Sequence, residues 1–461
     1  MRTSDRSAEQ VLLVGLELPN QKEPRVTESL EELGELVRSA GATVASRVVQ
    51  RLPTPTAPYY IGRGKALDLS RKCQEHGIQS VIFDDELTPA QSRNLANLFS
   101  RKVLDRTQLI LDIFAQRAKT REGKIQIELA QLLYLLPRLT RLWSHLSRQT
   151  GGIGTRGPGE TQLEVDRRRV QQRIARLHRE LEAVRRSRSV QREGRNRLPW
   201  STFCLVGYTN SGKSTLFNRL TRSDVLVEDK LFATLDPTIR LLSLGGKQRA
   251  FLTDTVGFIR KLPHNLIDSF RATLEEVKEA DFLIHLADVS DPNVEERIGD
   301  VRRVLEELGA LQKPTLLVWN KIDRLCGPAP LRRLLRLYPG SLGISARDGS
   351  GIPELLSRIE DWLRGRSLFV RLRLPLQRGD LLSRIHREGE PVDVRYRPEG
   401  VYVEAWIPPF LQTALAPYIL AERGAADSGD VAGGAPARAD GGGRAGRPQG
   451  FGAAGDSLGE R

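Results

Sequence analysis

The chain has 461 residues but only three cysteines and one methionine, and aromatic residues make up 6% of it. Cys73, Cys204 and Cys326 are scattered, and none has a Cys or His nearby at ligand spacing, which excludes a disulfide framework and a zinc site. We expect three reduced, structural thiols. The sequence also lacks an apolar run of roughly 18 residues and the apolar core of a signal peptide. We therefore expect a soluble, cytoplasmic protein with no stable membrane insertion.

Positive charge is abundant. The chain has 71 Lys and Arg against 57 Asp and Glu, a formal charge of +14, which favours a polyanionic partner, either nucleic acid or an anionic membrane. Residues 167–197 alone contain 12 Arg and 3 Glu. Pairs at i,i+4 spacing cannot neutralise this surplus, and the planar fork of Arg suits phosphate. We interpret the segment as polyanion-binding, the alternative being an ordinary solvated helix face.

The chain length predicts about three folded domains of an α/β class. Residues 1–125 alternate apolar runs (VLLVGLEL, ATVASRVV, SVIFDD), interpreted as buried strands, with helical patterns, which is the βαβ rhythm of a parallel or mixed sheet. Residues 126–197 predict an antiparallel helical hairpin with a Gly-rich tip at 151–159. Pro137 either kinks the first helix or marks its start. The apolar seams of the two helices are Leu132, Leu136, Leu139, Trp143 and Leu146, and Val170, Ile174, Leu177, Leu181 and Val184.

Three further regions follow the hairpin. Residues 198–365 form a new βαβ pattern, which predicts a domain with a mostly parallel sheet. Residues 366–420 predict a small α/β domain of three strands around one helix. Residues 421–461 are rich in Gly, Ala, Asp and Arg without periodicity, and we expect this tail to be disordered.

The segment STFCLVGYTNSGKSTLF contains a P-loop motif between an apolar strand and a helix. Its fixed residues are Gly207, Gly212, Lys213 and Ser214. The glycines let the backbone wrap phosphates, and the amides of residues 210–215 point at them. Lys213 reaches the β- and γ-phosphate oxygens, and the Ser214 hydroxyl ligates Mg²⁺.

Two tetrapeptides and one dipeptide complete a guanine-nucleotide pattern. DTVG (254–257) follows a strand, so that Asp254 can hold Mg²⁺ through water and the Gly257 amide can contact the γ-phosphate. NKID (320–323) follows another strand, and a carboxylate at Asp323 accepts hydrogen bonds from guanine N1 and N2. Ser345-Ala346 would offer a backbone amide to guanine O6. Each alone could be a turn, but together in this order they predict a GTPase.

The segment LFATLDPT (231–238) must contain switch I, whose threonine completes the Mg²⁺ shell. Thr234 and Thr238 are both candidates on the residues alone. Many GTPases place Gln after the switch II glycine to orient water, but this chain has Phe258 there, so no catalytic residue is evident and slow hydrolysis is expected. Asn210 lies in a GxxNxGKS arrangement, as in potassium-activated GTPases. Its amide could hold K⁺ or could simply cap the loop.

Several of these motifs together resemble the HflX family of ribosome-associated GTPases, in the Obg-HflX group. The matching segments are GGIGTRGPGETQLEVDRRR, GYTNSGKSTLFN, LFATLDPT, DTVGFIRKLP and NKID, and the resemblance runs from about residue 11 to 408. In the family's FATLD motif the switch I ligand corresponds to Thr234, which the resemblance favours over Thr238. The Mg²⁺ ligands implied are therefore Ser214 and Thr234.

The resemblance implies GTP binding and hydrolysis, binding to the large (50S) ribosomal subunit and its rRNA, and splitting of stalled or idle 70S ribosomes. The alternatives are a GTPase for large-subunit assembly and a GTP-switched regulator that does not act on ribosomes. A monomer is expected, and rRNA contacts are expected at Arg156, Arg167, Arg168, Arg169 and Arg173. The residues expected to bind GTP are Gly207, Tyr208, Thr209, Asn210, Ser211, Gly212, Lys213, Ser214, Thr215, Phe232, Ala233, Thr234, Leu235, Asp236, Asp254, Thr255, Val256, Gly257, Asn320, Lys321, Ile322, Asp323, Ser345, Ala346 and Arg347.

Overall fold

The structure is a computed structural model. It describes residues 9–19, 23–142, 158–196, 200–223, 231–245, 248–261 and 271–423. The chain divides into two compact units, Met1–Gly365 and Arg366–Arg461. Both are α/β, which confirms the predicted fold class. Among the helices that are described, none combines the length and apolar character needed to cross a bilayer.

The first sheet is parallel, with strand order β2-β1-β3-β4. Its elements are β1 (Gln10–Glu17), α1 (Glu23–Ser39), β2 (Thr43–Arg51), α2 (Arg63–Glu75), β3 (Ser80–Phe83), α3 (Pro89–Phe99), β4 (Lys102–Asp105) and α4 (Arg106–Arg117). The prediction of three buried strands is wrong for β2. No residue of β2 is buried, because the strand lies at the sheet edge and has a neighbour on one side only.

Two long helices, α5 (Arg121–Leu142) and α6 (Pro158–Asn196), pack against each other. The tightest part of their contact is formed by Ile125 and Leu129 with Leu177 and Leu181. Ile174, Leu177 and Leu181 of the predicted α6 seam are in this cluster, which confirms that part of the seam, whereas the seam on α5 begins earlier than the sequence indicated. Pro137 lies inside α5 and does not start it.

The last two residues of the predicted Gly-rich tip, 151–159, belong to helix α6. Pro158 and Gly159 belong to the first turn of α6, where a proline costs no hydrogen bond. Residues 143–157, which include Trp143, Leu146 and Arg156, lie outside the described residues.

The second sheet has the order β10-β9-β8-β5-β7-β6, and all neighbouring strands are parallel except the edge pair β6 and β7. Its elements are β5 (Thr202–Gly207), α7 (Lys213–Thr221), β6 (Thr238–Ser243), β7 (Arg249–Asp254), α8 (Arg271–Glu279), β8 (Phe282–Asp288), α9 (Val294–Glu307), β9 (Thr315–Asn320), α10 (Ala329–Leu337), β10 (Leu342–Gly343) and α11 (Ile352–Gly365).

One hydrophobic cluster joins the two sheets of the first unit. It contains Leu13 and Phe114 from the N-terminal part and Val206, Phe232 and Phe258 from the nucleotide-binding part. Since burial of apolar surface favours keeping these side chains together, the two α/β parts and the helical hairpin form one compact unit.

The second unit is an antiparallel sheet with the order β12-β13-β11-β14. Its elements are β11 (Leu368–Leu374), α12 (Gly379–Glu388), β12 (Glu390–Arg397), β13 (Gly400–Ile407), α13 (Pro409–Leu415) and β14 (Ile419–Arg423). The prediction of three strands and one helix ending at residue 420 is wrong, because residues 419–423 pair with β11 as a fourth strand and a second helix precedes them. The rest of the predicted tail, 424–461, lies outside the described residues.

Candidate nucleotide site

The P-loop connects β5 to α7. Gly212 has φ +90°, and a Cβ there would collide with Nδ2 of Asn320, so both the backbone conformation and the close approach require glycine. Lys213 begins α7, and its Nζ donates to the carbonyl oxygens of Gly207 (3.1 Å) and Tyr208 (2.8 Å). Burial lowers the pKa of Lys213 to about 8, although the nearby Asp254 opposes the shift. A phosphate would therefore meet a buried ammonium.

Three oxygen-bearing side chains meet beside the P-loop. Ser214 Oγ lies 2.6 Å from Thr234 Oγ1 and donates to Asp254 Oδ2 at 2.7 Å. Thr234 Oγ1 also donates to that oxygen, at 3.2 Å. Thr238, the other switch I candidate, instead begins β6.

This oxygen cluster fits Mg²⁺. Asp254 is fully buried, its Oδ1 has no hydrogen-bond partner among the described residues, and burial raises its pKa. A buried carboxylate oxygen without a partner is costly unless a cation or its water uses it. Ser214 and Thr234 would hold the metal directly and Asp254 would act through water. The metal would supply charge neutralisation to the phosphates.

Switch II is fastened to the P-loop by its backbone. Phe258 N donates to Gly207 O at 3.1 Å, and Phe258 O accepts from Thr209 N at 2.7 Å. A Cβ on Gly257 would lie 2.7 Å from Thr209 Cα, so the chains approach as closely as glycine allows. The ring of Phe258 is buried. The position after the switch II glycine therefore serves packing, and it offers no group that could orient water.

The guanine-side motifs are tied to the P-loop by Asn320. Its Nδ2 donates to Ser211 O at 2.8 Å, and its Oδ1 accepts from Ala346 N at 2.9 Å. Ser345 Oγ donates to Asp323 Oδ1 at 2.7 Å, while Asp323 itself is exposed. The structure thus brings NKID and Ser345-Ala346 together, with a carboxylate placed where it could accept from guanine.

Two stabilising contacts in this region were not predicted, one made by Arg219 and one by Lys321, which was predicted only as a residue of the GTP site. Arg219, on α7, donates to the carbonyl oxygens of Ala346 (2.7 Å) and Arg347. Lys321 pairs with Asp288 at 2.7 Å. The Arg219 contacts involve backbone acceptors, so no sequence motif could have indicated them.

Many of the predicted residues line one cavity. The P-loop, switch I and switch II residues around it are Thr209, Asn210, Gly212, Lys213, Ser214, Thr215, Phe232, Ala233, Thr234, Thr255 and Gly257. Asn210 is exposed with φ +59°, and none of the hydrogen bonds found in the described segments uses its side-chain amide.

Two side chains of the predicted sites have partners within the chain. The carboxylate of Asp236, expected to bind GTP, accepts from Lys119 N (3.3 Å), Thr120 N (3.0 Å) and Thr120 Oγ1 (2.5 Å) just before α5. Arg173, expected to contact rRNA, forms two hydrogen bonds with Glu128 across the hairpin, at 2.7 and 2.8 Å. Each side chain is engaged by a residue distant in sequence.

The remaining described arginines of that set, Arg167, Arg168 and Arg169, are exposed on α6. Arg169 lies 3.7 Å from Asp166, an exposed pair of little energetic weight. Cys73 and Cys204 are buried, as expected of structural thiols, but Cys326 is exposed.

The comparisons with known proteins agree with this geometry. The family model "GTP-binding GTPase N-terminal" matches residues 27–115, "GTP-binding GTPase Middle Region" matches 117–195, and "50S ribosome-binding GTPase" matches 202–321. A protein from Lacrimispora saccharolytica named GTPase HflX is 45% identical over 408 residues, covering 88% of this chain and 96% of the relative. The chain belongs to the HflX family of GTPases.

Another member of the HflX family, from Escherichia coli, is 46% identical over 382 residues, which cover 83% of this chain and 89% of that protein. Among solved structures, a GTP-binding protein from Sulfolobus solfataricus in complex with GDP is 28% identical, with 77% of this chain and 98% of that chain covered and a TM-score of 0.41. Family membership makes this chain an enzyme that hydrolyses GTP, and GTPases of this kind generally use Mg²⁺.

Proposed function

We propose that this HflX-family GTPase binds the large ribosomal subunit in its GTP state, splits stalled or idle 70S ribosomes, and uses hydrolysis for release. Two observations support an RNA-rich partner. One is the family description "50S ribosome-binding GTPase" for residues 202–321. The other is the exposed arginine cluster at 167–169 on α6. Such a partner would place the protein in the cytoplasm.

The observation that carries the proposal is that switch I contacts the base of the hairpin. Asp236, two residues after the proposed Mg²⁺ ligand Thr234, holds the amides of Lys119 and Thr120 that precede α5. Phe232 packs edge-to-face on Phe114 of α4, with ring centroids 4.6 Å apart. A nucleotide that moves Thr234 would therefore also displace α4 and the start of α5.

Switch II makes a second set of contacts with the N-terminal sheet. Lys261 Nζ bridges Asp84 and Asp85, each at 2.5 Å. Arg106 NH1 donates to the carbonyl oxygen of Arg260 at 3.4 Å. These contacts lie at the carboxyl end of β3, the edge of the sheet that faces the nucleotide-binding part.

These two sets of contacts suggest how GTP could control partner binding. The γ-phosphate would order both switches, and each switch would then fix the N-terminal part and the hairpin in one orientation. If the ribosome binds that orientation better, GTP raises affinity and hydrolysis lowers it. At 1.5 Å per residue, the 39 residues of α6 span about 60 Å, enough to carry its arginines deep into an RNA cleft.

The water-positioning group for hydrolysis is not supplied by Phe258. We propose that Asn210 holds K⁺ near the β- and γ-phosphates, where a cation would offset developing charge. Its exposure, and the absence of a described hydrogen bond to its amide, leave the amide oxygen available. Rates of hydrolysis that are equal in potassium and sodium, with and without ribosomes, would contradict this role.

The decisive test of the function is to incubate purified 70S ribosomes with the protein and GTP or a non-hydrolysable analogue. Sucrose gradients should show 30S and 50S subunits at the expense of 70S in both cases. Binding only to immature large particles would favour the assembly role. Failure to co-sediment with any ribosomal particle in any nucleotide state would favour a regulator outside the ribosome.

The role of the arginine cluster can be tested in the same gradients. The triple variant R167Q/R168Q/R169Q should weaken 50S binding and reduce the dependence of that affinity on salt concentration. The matched control R332Q/R333Q/R336Q removes three exposed arginines from α10 and should bind normally. Equal effects of the two triple variants would show that only net charge matters.

A further inference from the structure

The C-terminal unit has a sheet with one covered face. The chain order β11-α12-β12-β13-α13-β14 and the sheet order β12-β13-β11-β14 define the split βαβ arrangement. Both helices pack on the same face of the sheet. The core between them contains Val370, Leu372, Leu374, Leu381, Ile385, Val401, Val403, Ala405, Ile407, Leu411 and Leu415. Because side chains alternate along a strand, the intervening residues of β11 and β13 point to the other face.

Three aromatic side chains lie on that other face, all on the two central strands. Phe369 on β11 is directly opposite Trp406 on β13, and their ring centroids are 5.3 Å apart. Tyr402 lies four residues before Trp406, about 13 Å away along the strand. All three are partly exposed. Protein modules that bind single-stranded RNA stack bases on aromatic side chains in this position of a four-stranded sheet.

Arginines surround Tyr402. Arg373 on β11 and Arg395 on β12 are its direct neighbours on either side, and the guanidinium of Arg397 lies 5.1 Å from its ring centroid. All three arginines are exposed. Arginine can stack on a base and can also bind phosphate with two donors.

The acidic groups on this face are mostly engaged by arginine. Glu404 pairs with Arg371 at 3.0 Å and Asp393 pairs with Arg395 at 2.7 Å. Glu390 is the third carboxylate on this face, at its edge opposite Trp406. The remaining positive charge therefore concentrates around Tyr402, where a phosphate would bind beside a stacked base.

We infer that this aromatic–arginine face, defined by Phe369, Arg371, Arg373, Arg395, Arg397, Tyr402 and Trp406, binds RNA that presents unpaired bases. Bases would stack on Tyr402 and on the Phe369–Trp406 pair, and the arginines would hold the phosphates between them. The inference does not rest on the proposed ribosomal role, since any single-stranded or looped RNA has this chemistry. Cross-strand aromatic pairs also stabilise sheets, so the test must separate binding from stability.

The test uses the full chain with GDP and a fluorescein-labelled, unstructured 12-nucleotide RNA, free or annealed to its complement. Fluorescence anisotropy should show that Tyr402→Leu and Trp406→Leu each weaken binding of the single strand at least fivefold, because one stacked base is lost. Duplex binding should change less than twofold. Tyr418→Leu is the matched control, because Tyr418 packs against the core on the helix-covered side.

A 4-thiouridine version of the same RNA should crosslink to peptides covering 368–374 or 400–407. The inference is overturned if the two face variants bind the single strand as the Tyr418→Leu control does, or if crosslinks fall only elsewhere, such as on α6. Unchanged RNA binding together with lost 50S co-sedimentation would assign the face to a protein partner and would also overturn it.

A second variant pair keeps the test decisive if the leucine variants do not fold. R373Q/R397Q removes two exposed arginines beside Tyr402, and R332Q/R333Q removes two exposed arginines from α10. The first should lower the salt dependence of single-strand binding by roughly one unit of slope and the second should not. Identical slopes for the two double variants would contradict the inference.

Discussion

Two buried aspartates, each at the carboxyl end of a strand in a parallel or largely parallel sheet, have opposite environments. Asp84 follows β3, and both of its oxygens are used: Oδ1 by Arg106 at 2.7 Å, and Oδ2 by Ser29 Oγ at 2.7 Å and Lys261 at 2.5 Å. Asp254 ends β7, and its Oδ1 has no partner in the described part of the chain. The first carboxylate completes an internal ion network, whereas the second keeps acceptor capacity that a cation can use.

The pKa values of Asp84 and Asp254 differ in the way that these two environments would lead us to expect. Burial opposes ionisation of Asp84, but Arg106 and Lys261 outweigh it and hold its pKa at about 2. Burial instead raises the pKa of Asp254, and its hydrogen bonds and Lys213 only partly offset the shift. The fold itself thus neutralises the charge of Asp84, while Asp254 keeps a charge that a bound cation would neutralise.

The largest effect on stability is expected from Arg106→Met. The variant leaves Asp84 and Glu32 without their buried partner and should lower the free energy of unfolding by about 3–5 kcal/mol. Urea unfolding measures this. Arg303→Met is the control, because Arg303 is 72% exposed in its pair with Asp300 and should cost less than about 1 kcal/mol. Similar losses for both variants would mean that the Asp84 network has no special role.

Asp254→Asn should lower the rate of GTP hydrolysis about 100-fold, since it removes charge from the site that would hold the metal. Its free energy of unfolding at pH 7 should stay the same or rise, because a buried carboxylate with a raised pKa destabilises the fold when ionised.

Asp84→Asn should instead lower the free energy of unfolding at pH 7. Its penalty at pH 7 should shrink as the pH falls from about 4 towards 2, where Asp84 protonates in the unfolded and then the folded chain. Matching stability profiles for the two variants would refute the distinction between these aspartates.

Asp323→Asn tests the guanine side of the site. The parent chain should prefer GTP over inosine triphosphate, which lacks the N2 amino group, by about tenfold, the value of a charged hydrogen bond. The variant should lose most of that preference. Asp348→Asn removes a carboxylate from the neighbouring loop and should keep it. A competition assay with fluorescent GDP would show whether the two variants differ.

The smallest expected effect concerns Lys213. Burial lowers the pKa of its ammonium group to about 8. Only the protonated ammonium attracts phosphate, so GDP affinity should fall about fourfold between pH 7 and 8.5 as this group loses its proton. Lys213→Met should bind more weakly at every pH and show no such fall. Parallel pH curves for the two proteins would place the titrating group elsewhere.

The nucleotide site was predictable because its residues come in short contiguous motifs. Gly212, Lys213 and Ser214 are fixed by local backbone geometry, and the structure brings them to Thr234 and Asp254 as the motifs require. An apolar strand followed by aspartate, however, also describes Asp84, so the pattern alone could not distinguish the two aspartates.

The contacts that join distant parts of the chain were not predictable. Asp236 belongs to a nucleotide motif in sequence yet bonds to the start of α5, and Arg173 belongs to an arginine run yet pairs with Glu128. Strand β14 was missed because it crosses the predicted boundary after residue 420. Its last three residues fall in a segment whose composition predicts disorder, and only pairing with β11 orders them. In each case the partner lies far away in sequence.

In the proposed function, the contacts of the switches with the N-terminal part make partner binding depend on the nucleotide. The most direct test is the Kd of the full chain for purified 50S subunits with Mg²⁺ and either a non-hydrolysable GTP analogue or GDP, measured by co-sedimentation. We expect at least about tenfold tighter binding with the analogue, a coupling of about 1.4 kcal/mol or more. Equal Kd values in the two nucleotide states would contradict it.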